Sequence, residues 1–138
     1  MTPLFKKLNL GIHKSILLLN APESFESEIA ALEGVAVICD PSQLSTIPFL
    51  LSFVQTLAEV EMIASSLPPS SSGDVVIWFA YPKGSSKRYR CEFNRDTGWA
   101  AIRDAGFDSV RQVAIDEDWT ALRFRRIEYI KSQTATSG

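Results

Sequence analysis

Residues 15–40 read SILLLNAPESFESEIAALEGVAVICD, and this stretch decides the fold. Its first six residues form a continuous apolar run with polar ends, the pattern of a strand buried on both faces of a parallel sheet. Through Ala21 and Pro22 the chain passes into ESFESEIAAL, where Phe25, Ile29 and Leu32 recur at helical spacing. Glu23, Glu26 and Glu28 lie near the start of that helix, where the peptide dipoles favour negative charge. Gly34 is placed to end it, and GVAVICD is a second β-branched run closing at Asp40. Strand, helix and strand therefore follow one another within this short span.

The same alternation continues downstream. Residues 41–48, PSQLSTIP, predict a loop or a short turn of helix. FLLSFV (49–54) predicts a third strand, and QTLAEVEMIASSLP (55–68) a helix with Leu57, Val60, Ile63, Ala64 and Leu67 on one face. Pro68 and Pro69 stop that helix, and the serines and glycine of 70–73 read as a connector. DVVIWFAYP (74–82) is the most apolar stretch and predicts a central fourth strand. The loop KGSSKRYRCEF (83–93) follows, then a helix beginning near Asn94 or Asp96 and closing at Gly106. SVRQVAI (109–115) and TALRFRRIEYI (120–130) alternate with period two around the acidic turn DEDW, which predicts an antiparallel hairpin. The final SQTATSG (132–138) reads as a frayed tail.

The expected architecture is one Rossmann-like α/β domain over residues 1–131. Its open sheet is mostly parallel with an antiparallel hairpin at the C-terminus, and helices cover both faces, as right-handed crossovers require.

Composition agrees with a single domain. The chain has 138 residues, 46% hydrophobic and 22% charged, enough to bury a sizeable core and unlike a disordered, collagenous or coiled-coil sequence. Net charge is −2, which lacks the basic footprint of a nucleic-acid-binding domain. The charge is unevenly spread: residues 1–74 carry three basic and eight acidic side chains, residues 75–138 eleven and eight. The two cysteines, Cys39 and Cys91, are far apart with no CxxC and no nearby histidine, so zinc is not expected. The first fourteen residues lack the features of a signal peptide, and no apolar run approaches a membrane span. A cytoplasmic protein with reduced thiols is the expectation. The one histidine, His13, is expected at the surface.

Three phrases, LLLNAPESF (17–25), IWFAYPKGSSK (77–87) and VRQVAIDEDWTALRFR (110–125), together resemble a family of short bacterial proteins known as a domain of unknown function. The resemblance covers residues 15–127 and implies a small cytosolic bacterial protein, with no catalytic residues to carry over. In element order the chain also resembles a trimmed Rossmann-like methyltransferase. Such enzymes turn from the first strand into the first helix through a glycine-rich loop, because a backbone without Cβ approaches the cofactor closely. Here that turn is Asn20-Ala21-Pro22-Glu23-Ser24, with no glycine. An acidic residue ending the second strand, which holds ribose hydroxyls in that class, is matched by Asp40.

In an open parallel sheet, ligands sit beyond the carboxyl ends of the strands near the reversal in strand order. That rule nominates Asn20, Asp40, Gln55 and the start of the loop at 81–83. Asn20 and Asp40 are the positions where a nucleotide or adenosyl ligand would sit, although no cofactor is expected from the residues themselves. Lys83, Ser85, Lys87 and Arg88, with Arg90 and Arg95, make the loop basic. They are either a solvated loop face or an anion site, since lysine beside exposed amides holds phosphate or carboxylate. GSSK lacks the spacing of a P-loop. Asp116, Glu117 and Asp118 read as turn residues rather than metal ligands, Trp119 as core packing over the helix of Trp99. Arg111, Arg123 and Arg125 predict a basic strip on the hairpin if register aligns them, guarding the edge or receiving an acidic partner. No GxSxG, Cys–His pair or telling carboxylate spacing occurs. The expected function is a non-catalytic domain binding a partner or small anionic ligand, the alternative a reduced methyltransferase-like or nucleotide-binding protein using the Asn20/Asp40 crevice. The hairpin is also a candidate dimer edge.

Overall fold

Strand β1 (Ser15–Leu19) lies where the apolar run put it, with four of its five residues buried. A computed structural model describes residues 3–68, 73–94 and 96–130. The other strands are β2 (Ala36–Ile38), β3 (Phe49–Phe53), β4 (Val76–Pro82), β5 (Phe107–Ala114) and β6 (Trp119–Arg126). They form one sheet in the order β2-β1-β3-β4-β6-β5. The first four are parallel, and β6 and β5 close the sheet as an antiparallel pair. This is a Rossmann-like open sheet with β4 in its interior.

Side chains alternate between two buried layers, as the period of two demands. Ile16 and Leu18, Phe49 and Leu51, Val76 and Trp78 point to one side, which is covered by α1 (Pro3–Lys7) and α2 (Glu26–Ala30). Leu17 and Leu19, Leu50, Ile77 and Phe79 point to the other, covered by α3 (Leu57–Ala64) and α4 (Ala100–Asp104). Helices thus cover both faces. On the first side a ladder of rings runs Phe5–Phe25–Phe53–Trp119–Tyr89, with centroids 4.8 to 6.0 Å apart. On the second, Trp99 touches Phe79, Tyr81, Phe93 and Phe124. Trp119 is therefore core as expected, but on the opposite face from the helix of Trp99, because residue 119 has the parity of Ala121 rather than Leu122.

Several boundaries differ from the sequence pattern for local reasons. Residues 23–32 split into a 3₁₀ turn (Glu23–Phe25) and the short α2, so the chain leaves the helix before Gly34, which takes φ +70° in the turn ahead of β2. Helix α3 ends at Ala64, ahead of Pro68, and Thr56 with Glu59 forms a reciprocal capping box at its start. Helix α4 begins at Ala100 rather than at Asn94 or Asp96. The Asn94 side chain instead accepts from the backbone N–H groups of Asp96 and Thr97, and Gly98 turns the chain at φ +90° before the helix opens. Strand β6 stops at Arg126 and residues 127–130 are helical, so the predicted strand does not run on to Ile130. No periodic apolar pattern in the sequence marks helix α1. His13 is half-buried with its ring 5.6 Å from that of Phe49, not free at the surface.

The hairpin carries a bulge between Ser109 and Arg111. Phe107 and Val113 have the same parity, yet Phe107 packs in the α3/α4 layer and Val113 in the α1/α2 layer. The extra residue rotates the strand by one place and leaves Val110 exposed. Among the described residues no helix is long and apolar enough to cross a membrane, and no three potential metal ligands cluster. The expected tail (132–138), the connector serines 70–72 and Arg95 lie outside the described residues.

Candidate functional site

The carboxyl ends of β1 to β4 share one end of the sheet with the turn between β5 and β6, because β6 runs antiparallel to β4 and starts with Trp119 opposite Pro82. The loop that leaves β4 is therefore held between that turn and the start of α3. Lys83 donates its backbone N–H to the Asp118 carbonyl at 2.8 Å, and the Ser86 hydroxyl donates to the Asp118 carboxylate at 2.9 Å. The Ser86 oxygen in turn accepts from the backbone of Arg88 and Tyr89. At the far end, Glu92 donates its N–H to the Gln55 carbonyl, and its carboxylate accepts from the Leu57 N–H at 2.8 Å. That carboxylate sits at the first turn of α3, where exposed amides favour negative charge.

The acidic turn is structural in the same way. Asp116 accepts from the backbone of Asp118 at 2.8 Å and Trp119 at 2.9 Å, which closes the turn on itself. The Asp116 and Asp118 carboxylates thus serve amides and a hydroxyl.

Pinned at both ends, the loop borders an open cavity of about 570 Å³. Lys83, Lys87 and Arg90 line it, with Tyr81, Tyr89 and Phe93 as ring walls. None of the three cations pairs with a carboxylate among the described residues, and no carboxylate lines the cavity. Cys91 also reaches the wall, and its partial burial pushes the thiol above the ordinary value of 9.0. Ser85 and Arg88 do not line this cavity. They face a second of about 420 Å³ that shares Lys87 but also carries Glu117 and Asp118. Sequence reasoning placed Arg90 in the basic run but did not single it out. Tyr89 was missed, and its signal lies only in the ring that Trp119 supplies 4.8 Å away.

The crevice beside β1 is built differently. Strand order reverses between β1 and β3, which puts Asn20 and Gln55 at the switch point. Asn20 adopts φ +59°, a left-handed conformation that asparagine tolerates better than most residues. The Glu59 carboxylate accepts from the N–H groups of Gln55 at 2.9 Å and Thr56 at 3.1 Å, and its other oxygen lies 3.5 Å from the Asn20 amide. The chain's own carboxylate thus stands at the mouth of the crevice. Asp40 follows β2 and is exposed; its carboxylate accepts from the Ser42 N–H at 3.0 Å, which holds its pKa below the ordinary value. Asp40 so caps the 3₁₀ turn Pro41–Gln43, and no hydrogen bond joins it to Asn20.

No family model matches the chain, and no curated relative does. Solved structures do match in fold. A SAM-dependent methyltransferase from Aquifex aeolicus is 10% identical with a TM-score of 0.56, covering 89% of this chain and 87% of that one. Magnesium protoporphyrin IX methyltransferase from Synechocystis PCC 6803, with bound SAM, is 12% identical with a TM-score of 0.51, covering 89% and 74%. A Pyrococcus horikoshii OT3 protein is 12% identical with a TM-score of 0.52, covering 90% and 86%. At such identities the likeness is one of fold, and it agrees with the element order of a trimmed methyltransferase.

Proposed function

We propose that this chain keeps a methyltransferase-like frame but binds a small anionic ligand in the basic cavity after β4, as a binding domain rather than a catalyst. The observation that carries this reading is the wall of that cavity: three cations, Lys83, Lys87 and Arg90, and no carboxylate. Ammonium and guanidinium groups that line one cavity without a counter-charge favour phosphate or carboxylate. The ring walls suit a ligand that carries an apolar or flat portion beside its charge. The size lies within the ordinary range for small-molecule sites. Ser85 and Arg88, on the neighbouring surface, would steer an anion rather than hold it.

The residues at the crevice do not fit an adenosyl cofactor held in the manner of the fold's enzymes. The turn there carries Cβ atoms at Asn20 and Ala21, and Pro22 offers no N–H. The Glu59 carboxylate already takes the amides of the β3–α3 junction.

A second reading is nevertheless favoured by the fold likeness and by Asp40 at the end of β2: a reduced methyltransferase-like or nucleotide-binding protein that uses Asn20 and Asp40. One experiment separates the two. Calorimetric titration of the full chain with pyrophosphate and with S-adenosylhomocysteine is repeated on Lys83→Glu and Asp40→Ala. Saturable pyrophosphate binding that Lys83→Glu abolishes and Asp40→Ala leaves intact supports the cavity. Binding of the adenosyl ligand that is lost in folded Asp40→Ala overturns it in favour of the crevice, and no binding of either ligand overturns both.

A further inference from the structure

We propose that Arg111 and Arg123 form a second oxoanion site, on the hairpin, which clasps a phosphoryl group between two guanidinium forks. The two residues are direct cross-strand partners on β5 and β6. Leu122 and Phe124 face the α3/α4 layer, so Arg123 stands on the opposite side of the sheet, as does Arg125 two places on. Like charges directly opposite one another in a sheet repel, because their Cβ atoms lie only about 5 Å apart. The local acid does not relieve this pair. Asp74 is taken by Arg125, whose Nε and Nη2 donate to its carboxylate at 2.7 to 3.1 Å. The Asp74 carboxylate that acts on Arg123 is therefore already forked by Arg125.

Arg123 carries a further sign. Its Nε is buried and donates to no acceptor among the described residues. A buried donor left without a partner costs about 1–3 kcal/mol, so such groups are normally satisfied. Burial weakens its hold on the proton, and Arg111 and Arg125 add repulsion, against the attraction of Asp74. An oxoanion beside the exposed Arg111 neutralises the facing charges, and a turn of the Arg123 fork towards it brings the orphaned Nε–H out of its buried position to an acceptor. A phosphoryl group suits the geometry, since its several oxygens can meet two planar forks at once. This face is separate from the basic cavity, whose walls come from the loop after β4.

The test reads each arginine directly. In ¹⁵N-labelled full-length chain, the side-chain Nε–H resonances of Arg111 and Arg123 are followed during titration with inorganic phosphate and, separately, with adenosine 5′-monophosphate. Lys83→Gln/Lys87→Gln serves as the background, so that failure of the cavity reading leaves this result untouched. Saturable shifts at both resonances support the site, and folded Arg111→Gln, altered at an exposed position, should weaken binding by about tenfold or more. Equal affinity for the two probes supports recognition of the phosphoryl group alone, whereas tighter nucleotide binding supports a site that also takes the attached nucleoside. Shifts that rise linearly or equally at all arginines, or saturable shifts that Arg111→Gln leaves unchanged, overturn the proposal.

Discussion

The Asp118 carboxylate accepts the Ser86 hydroxyl at 2.9 Å, across thirty-two residues of sequence, and this bond fastens the basic loop to the hairpin turn. The acid thereby fixes the frame from which Lys83 and Lys87 project. Asp118→Ala should lower stability by about 1.5 kcal/mol, the low end for a hydrogen bond to a charged group because this one is only part-buried. It should also weaken anion binding without removing any cation from the cavity. Chemical denaturation and a pyrophosphate titration of the same variant check both effects; unchanged affinity would show that the loop holds its shape without this tie.

Gly98→Ala should be among the most damaging single changes on this side of the sheet. The residue has φ +90°, and an added Cβ would overlap Phe93, with the ring Cγ at 2.8 Å. Phe93 is held against Trp99, so it cannot yield cheaply. A loss of about 2–3 kcal/mol is expected from backbone strain and overpacking together, read from the denaturation midpoint.

Trp78 is fully buried, and its indole N–H donates to the Leu8 carbonyl at 2.8 Å, tying β4 to the turn after α1. Trp78→Phe should cost about 2–4 kcal/mol, from the void and the unpaired carbonyl. Hydrogen exchange should show the greater loss of protection around residues 4–10 if the bond anchors that segment.

The two cysteines should differ in reactivity. Cys39 is exposed, while Cys91 is partly covered and its thiol is pushed up mainly by desolvation. Iodoacetamide at pH 8 should alkylate Cys39 first, and pyrophosphate should slow the reaction of Cys91, which lines the cavity. The sign for stability follows from the raised value. The folded state favours the protonated thiol, so this contribution is present at neutral pH and fades as pH climbs above the unfolded thiol's value. Mass mapping of the labelled peptides decides the order.

The parallel frame was legible because each of its strands is a short apolar run bounded by polar or turn residues, and such runs have few other fates. The hairpin was legible from its alternation, but the pairing of Arg111 with Arg123 was not, because it depends on the bulge between Ser109 and Arg111. What escaped was set by tertiary contact. Nothing in PLFKK announces α1, whose Leu4 and Phe5 become helical by docking on the sheet. Asn94 reads equally well as a helix cap and as a turn, and Gly98 decides between them. At the site, the loop's charge was visible, but its closure was not. The partners Asp118 and Gln55 lie far away in sequence, and nothing in the helical pattern of 55–68 points the Glu59 carboxylate at the crevice.

The bulge at Val110 has a bearing on how the molecule comes apart. Because β5 lends Phe107 to one layer and Val113 to the other, it acts as a clasp shared by both halves of the interior. Peeling this edge strand away would open both layers at once. Loosening should therefore not spread from one face alone, and thermal melting should follow a single sharp transition whether read at Trp99 or at Trp119.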